Sequence, residues 1–213
     1  MNKRATITAA LFIALGVATT GLLYNQLSTG QRDESVAQDA GELMRPHSPV
    51  IGPADAPVTI VKFFDPACEG CRAFYPIVKE LMAEYPDGVR LVLRYVLFHR
   101  SSEEAARILE AARKQGVYLP VLEAVFAVQP RWHGDPQAAA AWEAAKAAGL
   151  DVKRAREQIT GRDITAILEQ DAADAKAIGI PHTPTFYVNG KALPSFGPEN
   201  LRALVRSEVE RVQ

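Results

Sequence analysis

The feature that most constrains this chain is a pair of cysteines, Cys68 and Cys71, set between a β-branched run and a helix-spaced run. Upstream, Val58-Thr59-Ile60-Val61-Lys62-Phe63-Phe64 reads as a buried strand. Downstream, Phe74, Ile77, Val78, Leu81 and Met82 recur at helical spacing between Cys71 and Tyr85. Pro76 interrupts that run and should kink the helix. The pair therefore falls at a helix amino terminus, where unpaired amides and partial positive charge favour a thiolate. The thiolate is the form that attacks disulfides. A two-residue spacer at a helix start brings both sulfurs within bonding reach. Cys68, just before the helix, is expected to be the more exposed, with Cys71 reaching back to it. One sulfur would attack, a mixed disulfide would form, and the other sulfur would resolve it.

Two plainer readings stand beside this one. A purely structural disulfide across so short a loop would remove little chain entropy. A metal site would need further soft or imidazole ligands, and these are the chain's only two cysteines. Hydrophobic residues make up 48% and charged residues 23%, which excludes collagen-like and wholly disordered classes. With 24 basic against 25 acidic residues, the chain has no electrostatic footprint for nucleic acid.

Residues 1–24 read as an address. Lys3 and Arg4 precede 19 uncharged residues, Ala5 to Leu23, and the first acidic residue is Asp33. A basic start followed by an apolar run is the pattern of an export signal. The run approaches the roughly 20 residues that span a bilayer. No clean cleavage site follows it, so an uncleaved membrane anchor is favoured over a cleaved signal peptide. Either way the remainder is expected in a bacterial periplasm or cell envelope, tethered to the inner membrane in the favoured case. Residues 25–56 read as a linker with a short helix around Glu34 to Leu43.

Residues 57–213 read as one domain. Val89 to Leu97 is a second strand, so strand, helix and strand make a βαβ unit with a parallel pair. Between about 100 and 179 alanine is frequent, and helices are predicted at Ser102–Gln115, Leu119–Val128, Pro136–Ala148, Val152–Ile159 and Ile164–Ile178. Asp135-Pro136 looks like a helix start. Thr185–Val188, the turn Asn189-Gly190 and Lys191–Leu193 form a hairpin, and Pro198 to Val212 a closing helix. The fold class is α/β: βαβ, a helical insertion, then ββα, preceded by the anchor or signal helix.

The motifs Phe63-Phe64-Asp65-Pro66-Ala67-Cys68-Glu69-Gly70-Cys71, Ser102-Glu103-Glu104-Ala105-Ala106, Gly149-Leu150-Asp151 and Gly179-Ile180-Pro181-His182-Thr183-Pro184-Thr185-Phe186-Tyr187-Val188-Asn189-Gly190 resemble the DsbA-like family of exported thioredoxin-fold thiol–disulfide oxidoreductases. The resemblance covers roughly Pro57 to Val212. It implies a thioredoxin fold with Cys68 as nucleophile and Cys71 as resolving thiol. It implies a cis Thr183-Pro184 peptide facing the sulfurs, with Thr183 free to pair with an extended client. It also implies client proteins bearing thiols or disulfides and a membrane redox partner. No cofactor is expected beyond the redox-active cysteines, and no metal.

The chain departs from the family at two places. The intervening residues are Glu69 and Gly70, and the Glu69 carboxylate is expected to raise the Cys68 pKa. Lys62 stands where many relatives carry a buried acid. Charged, it would stabilise a thiolate; desolvated, it would act as a base; on a plainer reading it snorkels to solvent. His182 is close enough in sequence to Pro184 to favour a thiolate if charged, though an exposed loop histidine is as good a reading. His99 and Arg100 are weak candidates for the same edge. His47 and His133 carry no role, Trp132 and Trp142 read as packing residues, and Asp65 should organise the turn into the helix. The alternative function is a copper-binding or metal-handling envelope protein using the same cysteines with His182. A third reading is a non-catalytic binding module. Thr183 does not decide between oxidase, reductase and isomerase; the reading leans to an oxidase or specialised reductase.

Overall fold

The structure, a computed structural model, describes residues 41–212. The anchor or signal helix expected over 1–24 and the first half of the expected linker lie outside the described residues. Among the described residues no helix is long and apolar enough to cross a membrane.

Glu42 onward forms one compact unit built on a five-stranded sheet ordered β1-β3-β2-β4-β5. Strand β2 (Val58–Phe64) runs parallel to β3 (Val89–Tyr95), with helix α1 (Glu69–Glu84) crossing between them. On its other side β2 pairs antiparallel with β4 (Thr185–Val188), which turns through Asn189-Gly190 into β5 (Lys191–Ala192). Asn189 and Gly190 both have positive φ, 47° and 80°, as a two-residue hairpin turn requires. The insertion holds α2 (Ser102–Lys114), α3 (Tyr118–Ala127), a 3-10 turn (Gln129–Arg131), α4 (Ala139–Ala147), α5 (Val152–Gln158) and α6 (Arg162–Ile178); α7 (Pro198–Val212) closes the domain.

Every residue of β2 is buried, because a central strand covered on both faces cannot alternate polar with apolar. Val58, Ile60 and Phe64 face α1 and the insertion; Val61 and Phe63 face a smaller core with Leu43, Val92, Val96 and Ala175. Burying each such Val, Ile or Phe contributes roughly 1.5–3 kcal/mol.

Three expectations need correction. The segment expected to be linker is, from residue 42, part of the fold: β1 (Val50–Ile51) pairs antiparallel with Val92 and Leu91 of β3. A two-residue strand next to Pro49 is too short to show a period. Helix α4 starts at Ala139, not Pro136. The Asp135 carboxylate accepts from the amides of Gln137 (3.0 Å) and Ala139 (2.9 Å), and Ala138 is left-handed with φ 46°, so 135–138 is a turn. Strand β3 stops at Tyr95 rather than Leu97, because the Phe98 amide turns to Asp65 Oδ2 at 2.7 Å.

The same early segment docks on a buried ionic cluster. Arg94, fully buried on β3, donates through Nε to Asp171 Oδ1 (2.8 Å) and through Nη2 to Asp174 Oδ2 (2.5 Å). Arg45 grips Asp174 at 2.8 and 2.7 Å, and His47 Nε2 lies 2.7 Å from Asp171 Oδ1. The Tyr95 amide donates to Asp171 Oδ2 at 2.8 Å. Burial opposes ionisation of Asp174, but hydrogen bonds from Arg45, Arg94 and Gln170 outweigh it and bring its pKa down to about 2.

Candidate active site

Cys68 is the N-cap of α1, with extended backbone (φ −74°, ψ 123°), and its carbonyl accepts the first helical bond, from Arg72 N at 3.2 Å. Cys71 is one turn along, fully buried, whereas Cys68 is partly exposed. The Cys68 thiol donates to the Thr183 carbonyl at 3.2 Å, and the Thr183-Pro184 peptide is cis. Gly70 allows this close fit: a Cβ there would lie 3.3 Å from Pro184 Cδ and 3.6 Å from Cys68 Sγ.

The two sulfurs are electrostatically unlike. Cys68 is brought down to about 5, first by a hydrogen bond from the Cys71 side chain. Burial works against this; the Thr183 side chain and the amides of Cys71 and Gly70 add to the lowering. Those amides are unpaired donors of the first helical turn. Cys71 goes the other way, pushed up by burial and by its bond to Cys68, with Lys62 opposing. The net shift of Cys68 is downward, against the rise expected from Glu69, whose side chain is exposed where water screens a carboxylate.

Lys62 does not snorkel to solvent; it is 1% exposed. Its Nζ donates to the Cys71 carbonyl at 3.1 Å and lies 5.8–6.0 Å from the ring centroids of Phe64, Tyr75, Phe126 and Phe186. Burial lowers its pKa, while charge on Cys71 and Cys68 raises it. A strand covered on both faces offers a lysine no route to water.

Asp65 organises the turn as its position predicts. Oδ1 accepts from Ala67 N (2.8 Å) and Ser102 Oγ (2.5 Å), and its own amide points at Cys71 Sγ (3.4 Å). His99 is held by Asp65 Oδ2 through Nδ1 at 2.7 Å. His182 is exposed and edge-on to Phe196, with ring centroids 6.1 Å apart. The structure thus brings Cys68, Cys71, Gly70, Lys62, Thr183 and Pro184 together and leaves Glu69 and His182 at the rim. Among the described residues no group of three or more His, Cys, Asp or Glu is gathered to hold a metal.

One site residue escaped the sequence. Gln129, buried in the 3-10 turn of the insertion, donates through Nε2 to the carbonyls of Pro66 (2.7 Å) and Cys68 (3.0 Å). Its Oε1 accepts from Arg72 Nε at 3.0 Å. The insertion therefore clamps the backbone of the cysteine turn, and nothing in the pattern Val128-Gln129-Pro130 marks that role.

A family model described as Thioredoxin matches residues 44–207. The chain belongs to the thioredoxin family. Among solved structures it is similar to a thioredoxin-like oxidoreductase from Silicibacter pomeroyi, at 30% identity and TM-score 0.69, covering 79% of this chain and 93% of that one. It shares its fold with DsbA1 of Wolbachia pipientis at 16% identity and TM-score 0.71, covering 81% and 96%. The DsbA-like resemblance carried by the motifs thus stands for this thioredoxin-family domain. A curated relative, a Na(+)/H(+) antiporter NhaA of Herminiimonas arsenicoxydans, is 32% identical over 198 residues, which are 91% of this chain. The chain spans only 31% of that antiporter's length.

Proposed function

We propose that the protein is an exported thiol–disulfide oxidoreductase that exchanges disulfides with client proteins, with Cys68 as nucleophile and Cys71 as resolving thiol. The observation that carries this reading is the inequality of the sulfurs: a reachable thiol lowered to about 5 beside a sealed one pushed upward. At neutral pH the reduced pair is then a Cys68 thiolate and a Cys71 thiol. Toward a client disulfide, the Cys68 thiolate attacks one sulfur and the client's other sulfur leaves; Cys71 then attacks Cys68 and frees the client dithiol. In reverse, a client thiolate attacks Cys68 of the disulfide, and Cys71 departs and takes a proton; the client's second thiolate then attacks its own bonded sulfur, closing the client disulfide and releasing the Cys68 thiolate. Stabilising the reduced pair as a thiolate makes its disulfide more oxidising, which favours this second direction. The two-electron traffic runs through the cysteines themselves, with no added cofactor.

The basic-then-apolar start supports export and a tether in the inner membrane facing the periplasm. Kinship with part of a sodium–proton antiporter supports work close to a membrane. A membrane redox partner would return the pair to its working state.

The purified protein should oxidise a dithiol peptide or reduce insulin, and Cys68→Ser should fall to the uncatalysed background. Iodoacetamide trapping of the reduced protein should lose half its rate near pH 5, the value to which Cys68 is lowered. Wild-type turnover no faster than that of the Ser variant overturns the proposal.

A further inference from the structure

The turn that carries Cys68 is held from two directions. Its amides go to Asp65: Ala67 N donates to Oδ1 at 2.8 Å, and Cys68 N donates to the Asp65 carbonyl at 3.1 Å. Its carbonyls go to the insertion. Those of Pro66 and Cys68 accept from Gln129 Nε2 at 2.7 and 3.0 Å, which uses both protons of that side-chain amide. The Gln129 oxygen accepts from Arg72 Nε at 3.0 Å. Arg72 also donates its backbone amide to the Cys68 carbonyl at 3.2 Å, so Cys68, Arg72 and Gln129 close a ring of hydrogen bonds. Gln129 is itself fixed. Its carbonyl accepts from the amides of Trp132 (3.0 Å) and His133 (2.9 Å), and Pro130 restricts the chain beside it. Trp132 is fully buried, with Nε1 donating to the Val125 carbonyl at 3.0 Å. A fully buried glutamine thus spends both donors and its oxygen on the cysteine turn and the helix behind it.

We propose that Gln129 is a positioning residue for Cys68, holding the turn so that the sulfur stays against the Gly70 and Cys71 amides and placing the reactivity of the nucleophile under the control of the helical insertion. The inference rests on the oxidoreductase reading above and adds what sets the geometry of its nucleophile. The Cys71 side chain and the amides of Cys71 and Gly70 all lower Cys68. Hydrogen bonds are directional, so these donors act only while the turn presents the sulfur to them. A carbonyl oxygen carries partial negative charge, and one swung toward the sulfur would oppose the thiolate that the amides favour. Gln129 keeps two carbonyls engaged with the insertion, and the Arg72 guanidinium polarises its amide and strengthens both bonds. A methionine at this position fills similar space but offers neither donor. The hydrogen bonds of the Gln129 side chain go to backbone oxygens and to Arg72, so it acts through the turn and not on the reacting atoms.

The test is the pH profile of iodoacetamide trapping, measured on the reduced full chain. Gln129→Met should raise the pH of half-maximal rate by about one unit, with roughly a fivefold loss of rate at pH 5. The same change should make the pair about tenfold less oxidising against glutathione, or about 30 mV. Arg72→Met leaves both donors of Gln129 in place and should move the profile by less than half as much. Arg94→Met, on the other face of the sheet, should lower stability and leave the profile where it is. A Gln129→Met profile that stays with wild type or moves down overturns the proposal. An Arg72→Met shift as large as that of Gln129→Met overturns it too, by assigning the effect to the guanidinium charge. An equal shift in Arg94→Met overturns it by assigning the effect to lost stability. A second variant guards against a failure to fold: Gln129→Asn keeps both groups but is one methylene short of the two carbonyls. Its profile should lie between wild type and Gln129→Met, and one identical to wild type likewise overturns the proposal. Failure here with Cys68-dependent turnover intact removes only the positioning role. Absence of turnover, with Cys68→Ser indistinguishable from wild type, removes the oxidoreductase reading itself.

Discussion

Lys62 and Arg94 are both fully buried cations on adjacent parallel strands, yet they sit in opposite electrostatic settings. Arg94 pairs in register with Phe63, one residue from Lys62, and points to the other face of the sheet. There it meets Asp171 and Asp174, each held by further donors. Among the described residues, Lys62 meets a carbonyl, aromatic rings and two sulfurs. A buried charge with full compensation locks its surroundings, because every state of the site keeps the same ionisation. A buried lysine with no fixed counter-charge has its ionisation opposed by burial and favoured only by whatever charge the sulfurs carry. One face of the sheet thus holds a closed ionic cluster, and the other an amine whose ionisation depends on its neighbours.

The contrast can be broken by stability measurements. Arg94→Met removes the one buried cation that joins the two carboxylates under the sheet, leaving Arg45, His47, Gln170 and the Tyr95 amide to hold them, and should cost about 3 kcal/mol in urea unfolding. A loss no larger than that of an exposed substitution would show the cluster to be ornamental. Next comes acid. The folded pKa of Asp174 is below its unfolded value, so its contribution is complete above about pH 4 and fades as the pH falls toward about 2, amounting to roughly 2 kcal/mol. The stability gap between wild type and Asp174→Asn should therefore close across that window; a gap independent of pH would contradict the pairing. The smallest effect is expected at Lys62. Lys62→Met exchanges a buried amine, whose ionisation burial opposes, for a thioether that suits the surrounding rings, and should leave the fold within about 1 kcal/mol of wild type. A cost matching that of Arg94→Met would erase the difference between the two faces.

Much of this was legible in the residue order. The unbroken run Val58 to Phe64 marks a strand covered on both faces, and Asn189-Gly190 marks the hairpin. Placement of the cysteine pair at a helix start followed from the change of period on either side of it. What could not be read is what depends on distant partners. Arg45 and His47 meet α6 across more than a hundred residues, and no local pattern announces that pairing. Gln129 looks like any loop glutamine until the insertion folds over Pro66 and Cys68. Glu69 is adjacent to Cys68 in sequence, which suggested influence, but adjacency at a helix start sends successive side chains in different directions. Lys62 shows the same limit from the other side: the strand was evident, the fate of its one charged residue was not.

The residues between the cysteines divide the control of the site unequally. Position 69 opens to water and can change charge without touching its neighbours, whereas position 70 lies against Pro184 and Cys68, and a methyl group there would make the proline give by a few tenths of an ångström. Redesign of the dipeptide thus has two separate handles: the outer residue changes the charge presented to water beside Cys68, and the inner one sets how closely Pro184 can lie against the cysteine turn.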